Sequence, residues 1–117
     1  MSSDLMTPFD LQRQMLAMSH EVDRCIVEYR EKSVSWVEKK RAARIAFNTA
    51  LLSASGANVP ERKAKAEQAS EELLYAEEMA EALRTTALEA LRARREQLNA
   101  LNALAYTIRT ELQLARG

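Results

Sequence analysis

Few residues in this 117-residue chain could do bond-making chemistry. There is one histidine, His20, and one cysteine, Cys25. A lone histidine forms no His–His metal pair. A lone cysteine excludes an intramolecular disulfide framework and a multi-cysteine zinc site. Of the two glycines, one is the terminal Gly117, so no phosphate-cradling glycine loop can be built. The carboxylates Glu71/Glu72 and Glu77/Glu78 are adjacent in sequence. On a helix such neighbours diverge, so they make no acid–base dyad. No catalytic, metal-ligating or cofactor-binding residue is assigned, and the chain is read as a non-enzyme without a cofactor.

The remaining chemistry is contact with phosphates by basic side chains. Formal charge is zero, from 17 Lys+Arg and 17 Asp+Glu, but it is unevenly spread. Lys39, Lys40, Arg41, Arg44, Arg62, Lys63 and Lys65 lie in a stretch with two acids, whereas Glu67, Glu71, Glu72, Glu77, Glu78 and Glu81 follow with no base among them. The seven cations are the candidate nucleic-acid-binding residues. A structural alternative stands beside this: in an antiparallel hairpin the run 39–44 faces Glu71 and Glu72, and the run Arg92–Arg95 faces Glu21 and Asp23, so the charges would set register. Arg62, Lys63 and Lys65 face the turn in that arrangement and are the cations expected to stay free. Trp36 is expected to anchor a core rather than stack on a base. Cys25 is expected to be a buried thiol, and Met15, Met18 and Met79 to fill a helix seam.

Long helices must carry these residues. Ala, Leu, Glu, Lys and Arg make up 66 of 117 residues, above the roughly 50% that marks coiled coils. Thr7 can cap a helix whose first turn holds Pro8 and Asp10. Gly56 can take the left-handed conformation that ends a helix. Asn58 can cap the next one, with Pro60 in its first turn and Glu61 as a capping-box acid. The expectation is a single all-α domain over residues 1–117: helix 8–55, turn 56–58, helix 59–115, folded into an antiparallel coiled-coil hairpin that assembles into a helical oligomer.

Apolar spacing supports a seam on each helix. The first reads Leu11, Met15, Met18, Val22, Cys25, Tyr29, then slips by four to Ser33, Trp36, Lys40, Ala43, Phe47, Ala50, Ala54. The second reads Ala66, Ala69, Leu73, Ala76, Ala80, Leu83, Ala87, then slips by four to Leu91, Arg94, Leu98, Leu101, Ala105, Ile108, Leu112. A four-residue slip locally unwinds a supercoil. A turn centred at residue 57 pairs residue 11 with about 103 and leaves the C-terminal stretch overhanging. Leu104, Tyr106, Ile108, Leu112 and Leu114 are therefore the candidate oligomer interface. Ile26, Val37, Ile45, Leu74 and Leu88 lie off both seams and widen the apolar face beyond a two-helix contact.

Tyr29, Ser35-Trp36, the Ala-rich first helix ending near Ser55-Gly56, the turn Asn58-Val59-Pro60-Glu61-Arg62 and the stretch Arg95-Glu96-Gln97-Leu98-Asn99-Ala100-Leu101 also carry a resemblance. Over residues 29–112 the chain resembles small helical proteins of phage recombination modules and is similar to the UvsY-type recombination mediators. That resemblance implies a homo-oligomer in the host cytoplasm that binds single-stranded DNA and works with a recombinase or single-strand-binding protein. The competing expectation is a coiled-coil assembly or adaptor protein with no nucleic-acid role. The start, Met1-Ser2-Ser3-Asp4-Leu5, has no basic run or apolar stretch of a secretory signal, and no membrane association is expected.

Overall fold

The computed structural model describes residues 7–56 and 58–116. They form three α-helices: α1 (Pro8–Ser53), α2 (Val59–Ala69) and α3 (Glu71–Arg116). The first begins where the sequence places it. The Thr7 hydroxyl oxygen accepts the Asp10 N–H at 3.1 Å, while the Thr7 hydroxyl donates to the Asp10 carboxylate at 2.8 Å. This reciprocal cap satisfies orphan first-turn donors and puts a negative charge at the positive dipole end. Asn58 caps α2 the same way, its side-chain oxygen accepting the Glu61 N–H at 2.9 Å from extended backbone.

The connection differs from expectation. The first helix stops at Ser53, whose hydroxyl donates to the Thr49 carbonyl at 2.9 Å. No described glycine has positive φ, so Gly56 is not a left-handed cap. It is needed for room instead: a Cβ there would meet Arg62 Cγ at 3.0 Å and Glu61 Cγ at 3.3 Å. The loop thus lies close against the first turn of α2.

The expected second helix, 59–115, is interrupted at Ser70. The Ser70 N–H still donates to Ala66 O at 3.1 Å, and the Leu74 N–H to Ser70 O at 3.0 Å. The Ser70 side chain, 2% exposed, donates to the same Ala66 carbonyl at 2.7 Å. A serine bonding back to the preceding turn competes with the backbone ladder and bends a helix.

The chain divides into two compact units. One joins α1 through Glu28 to α3 from Leu88 onward. Its buried side chains are Leu11, Val22, Cys25 and Leu91. Met15, Met18, Leu98, Leu101, Ala105 and Ile108 are half-buried around them. The other unit is Tyr29–Ala87. Its core is made of small residues, Ala43, Ala66, Ala80, Ala87 and Ser70, flanked by half-buried Tyr29, Trp36, Phe47 and Leu74. Within each unit the α1 segment runs antiparallel to its partner.

Burial follows the expected seam in α1, including the slip after Tyr29. One member departs: Lys40 is exposed, its ammonium 5.0 Å from the Trp36 ring centre. The second seam is different. Ala69, Leu73, Leu83 and Leu112 are exposed, and Ser70 and Arg84 occupy inward positions. Buried or half-buried residues then run Ala66, Ser70, Glu77, Ala80, Arg84, Ala87, Leu91, Arg94, Leu98, Leu101, Ala105, Ile108, with 4-3 spacing throughout from Glu77 and the intervening Leu73 exposed. The expected slip at 87–91 is absent. Apolar letters alone imply that slip, whereas a serine and an arginine sit inward here with their polar groups hydrogen-bonded.

Register is also shifted. Ser33 lies opposite Arg84, not residue 81. In the first unit Pro8, Leu11, Gln12 and Met15 share a groove with Ala105, Ile108, Arg109 and Leu112. The overhang expected from residue 104 is accordingly shorter, because the hairpin is not symmetric about residue 57. Among the off-seam residues, Ile26, Leu74 and Leu88 are half-buried while Val37 and Ile45 are exposed.

Candidate functional site

The seven candidate cations are all exposed. Lys39, Lys40, Arg41 and Arg44 sit on α1 and Arg62, Lys63 and Lys65 on α2. They do not share one face: at about 100° per residue, Lys39 and Arg41 point about 160° apart. Two are engaged locally. Lys40 rests on Trp36. Lys65, expected to be free, donates to the Ser55 carbonyl at 2.6 Å and lies 3.9 Å from the Glu61 carboxylate.

Lys40 and Arg44 line a groove of about 860 Å³ with Ala43, Phe47, Leu74, Tyr75 and four glutamates, Glu67, Glu71, Glu77 and Glu78. Opposite charges therefore stand on facing walls, as the hairpin charge pattern anticipates. No ion pair among the described residues crosses the groove; the three present, Arg24–Glu21, Arg24–Glu28 and Lys65–Glu61, each join residues within one helical turn. Exposed pairs of this kind set geometry more than stability. Arg24 holds the Glu21 carboxyl below the usual carboxylate range, first by its hydrogen bond and then by its charge, with Arg94 adding to the effect.

The tightest polar cluster is centred on Arg84, which the sequence did not single out. Its guanidinium donates to the Tyr29 hydroxyl at 2.9 Å and to the Ser33 hydroxyl at 3.2 Å. It also lies over the Trp36 ring at 4.9 Å and the Tyr29 ring at 5.4 Å. With two of its N–H donors engaged across the helix pair and its faces against two rings, this cation clasps two helices. Trp36 Nε1 is buried beside it without a hydrogen-bond partner among the described residues. The signal available beforehand was the 4-3 spacing of Leu91, Leu98, Leu101, Ala105 and Ile108, which passes through residue 84 when carried back without a slip.

Of the candidate interface residues, Leu104, Tyr106, Leu112 and Leu114 are exposed, Tyr106 at 70%. Ile108 is half-buried, and it and Leu112 wall the intrachain groove with α1. Cys25 is 2% exposed and Met15 and Met18 are half-buried, but Met79 is exposed. Among the described residues there is no group of three or more His, Cys, Asp or Glu arranged to hold a metal, and no helix is long and apolar enough to cross a membrane.

No protein-family model, characterised protein or solved structure matches this chain.

Proposed function

We propose that this is a non-catalytic helical assembly protein that works by helix–helix association, first of all with copies of itself. One observation carries this. Sixteen large apolar side chains among the described residues are exposed, whereas the buried apolar core is eight residues, four of them alanine. Two helices side by side bury one stripe each, so a chain with apolar residues on further faces keeps them wet until another chain arrives. Light scattering over a concentration series tests the proposal. A mass at a multiple of 13.2 kDa is expected; the monomer mass up to millimolar concentration sinks it.

A second reading, favoured by the exposure of Lys39, Arg41, Arg44, Arg62 and Lys63, is that the assembly contacts single-stranded DNA. It is the function implied by the resemblance to recombination mediators, with a recombinase or single-strand-binding protein as partner. Clustering of copies would multiply a weak patch. Its support is narrower, because four glutamates share the groove of Lys40 and Arg44 and Lys65 is spent on the loop. Oligonucleotide binding across a salt series decides it. Counterion release makes real phosphate binding weaken steeply with salt. Binding that Arg62→Glu/Lys63→Glu abolishes supports DNA contact; no binding at about 50 mM salt ends it.

A further inference from the structure

The groove that Lys40 and Arg44 share with the acidic block lies wholly within one compact unit, Tyr29–Ala87. Its floor is apolar. Ala43 is fully buried, and Phe47 and Leu74 are half-buried. Tyr75 also lines it and is 63% exposed. At about 860 Å³ the groove has the size of a ligand-binding cleft.

Its walls are unequal in charge. Glu67, Glu71, Glu77 and Glu78 stand against two cations, so the lining carries an excess of negative charge. The chain does not neutralise that excess itself. None of the four carboxylates makes a hydrogen bond or ion pair among the described residues. Register shows the nearest miss. Ser33 lies opposite Arg84, so seven residues further along α1 Lys40 comes opposite Glu77. The Lys40 ammonium stands over the Trp36 ring instead. Glu77 is half-buried and left without a cation. A carboxylate that has lost part of its water without gaining a partner gains most from an arriving cation.

The missing complement is therefore positive charge carried above an apolar surface. An amphipathic helix supplies both, with one apolar stripe and Lys or Arg beside it. It also satisfies its own backbone, which an extended segment laid on alanine, phenylalanine and leucine could not do. The spacing suits a helix. Glu71 and Glu78 are seven residues apart on α3, about 10.5 Å, and cations seven apart on a helix laid alongside have the same separation. Groove-to-groove packing of two copies is disfavoured, because each would bring the same negative excess.

We propose that this groove docks a basic amphipathic helix of a partner protein. The apolar stripe of that helix rests on Ala43, Phe47 and Leu74, and its Lys or Arg side chains meet the four glutamates. The proposal goes beyond self-assembly and does not depend on it.

Fluorescence anisotropy with the full chain tests it. The probe is a labelled, amidated peptide of about 15 residues, with leucine on one helical face and lysine on the other. Binding is expected at about 50 mM salt and should weaken about tenfold by about 500 mM. Glu67→Gln/Glu77→Gln/Glu78→Gln should also weaken it about tenfold. Glutamine is nearly as good a helix former as glutamate, and circular dichroism would verify that the fold is retained. Glu89→Gln/Glu96→Gln/Glu111→Gln removes the same charge from exposed α3 positions outside the groove. That variant should bind within about twofold of the native chain, since those sites lie beyond a Debye length. A peptide of the same composition, scrambled so that it has no apolar stripe, should bind about tenfold more weakly. No binding at low salt, equal loss in the two triple variants, or equal binding of the scrambled peptide overturns the proposal. So does native self-association that the groove variant abolishes in light scattering, because the occupant is then a second copy. A monomeric native chain that binds the peptide through the groove glutamates ends the assembly reading and supports this one.

Discussion

At the scale of single residues, side chains that looked out of place carry the packing. Arg84 sits where a reading by hydrophobicity put Leu83. It does so because Tyr29, Ser33 and two aromatic faces satisfy it. Arg84→Ala should lower unfolding free energy by about 1–3 kcal/mol in urea titration, combining a cation–π clasp with two hydrogen bonds. A second effect is electrostatic. The Glu21 carboxyl is held low by Arg24. A carboxylate lowered on folding adds stability above its ordinary range and loses it as pH falls through the lowered value. NMR titration should find Glu21 below the ordinary carboxylate range, and Arg24→Gln should return it toward that range, with little change in stability because the pair is exposed. Neither pairing is visible as a partnership in sequence until the helical turn, or the facing helix, supplies the neighbour.

At the scale of elements, caps were legible and the interruption was not. Thr7, Pro8, Asn58 and Pro60 act at helix starts because their backbone preferences are local. The Ser70 hydroxyl bonds back to the Ala66 carbonyl, as Thr86, Thr107 and Thr110 bond back within the uninterrupted α3, so that bond type by itself marks no stop; Ser70 differs in being buried. Ser70→Ala removes that competing bond but leaves the Ser70 N–H to Ala66 O bond available. The variant should be neutral or more stable by about 0.5 kcal/mol in thermal melts, with slower amide exchange over 66–74. A loss above about 2 kcal/mol would mean that the serine hydroxyl holds the helix junction together. The seam in α3 failed for a related reason. Alanine seams give weak contrast, so Ala69 and Leu83 outvoted Ser70 and Arg84 by hydropathy although the steady 4-3 spacing favoured the latter.

At the scale of the whole molecule, the imbalance between exposed and buried apolar groups dominates. A core of four alanines, three aliphatic or thiol side chains near α1 and one leucine from α3 stabilises little, since each buried leucine or valine contributes only about 1.5–3 kcal/mol and alanine less. Stability linked to association depends on protein concentration. The melting temperature should therefore rise by several degrees between about 1 and 100 µM for the native chain. A melting temperature independent of concentration in the native chain would count against association-coupled folding.

By itself the sequence determined the helical class, the two principal helix starts, the slip in the α1 seam and the clustering of cations along 39–44 and 62–65. These depend on composition, local backbone preference and period, all of which act over a few turns. Tertiary structure alone decided the register of the paired segments, the inward place of Arg84 and Ser70, the capture of Lys65 by the Ser55 carbonyl and the intrachain company of Ile108 and Leu112. Those outcomes depend on which distant group satisfies a polar atom or covers an apolar one, and spacing along one helix carries no record of the other.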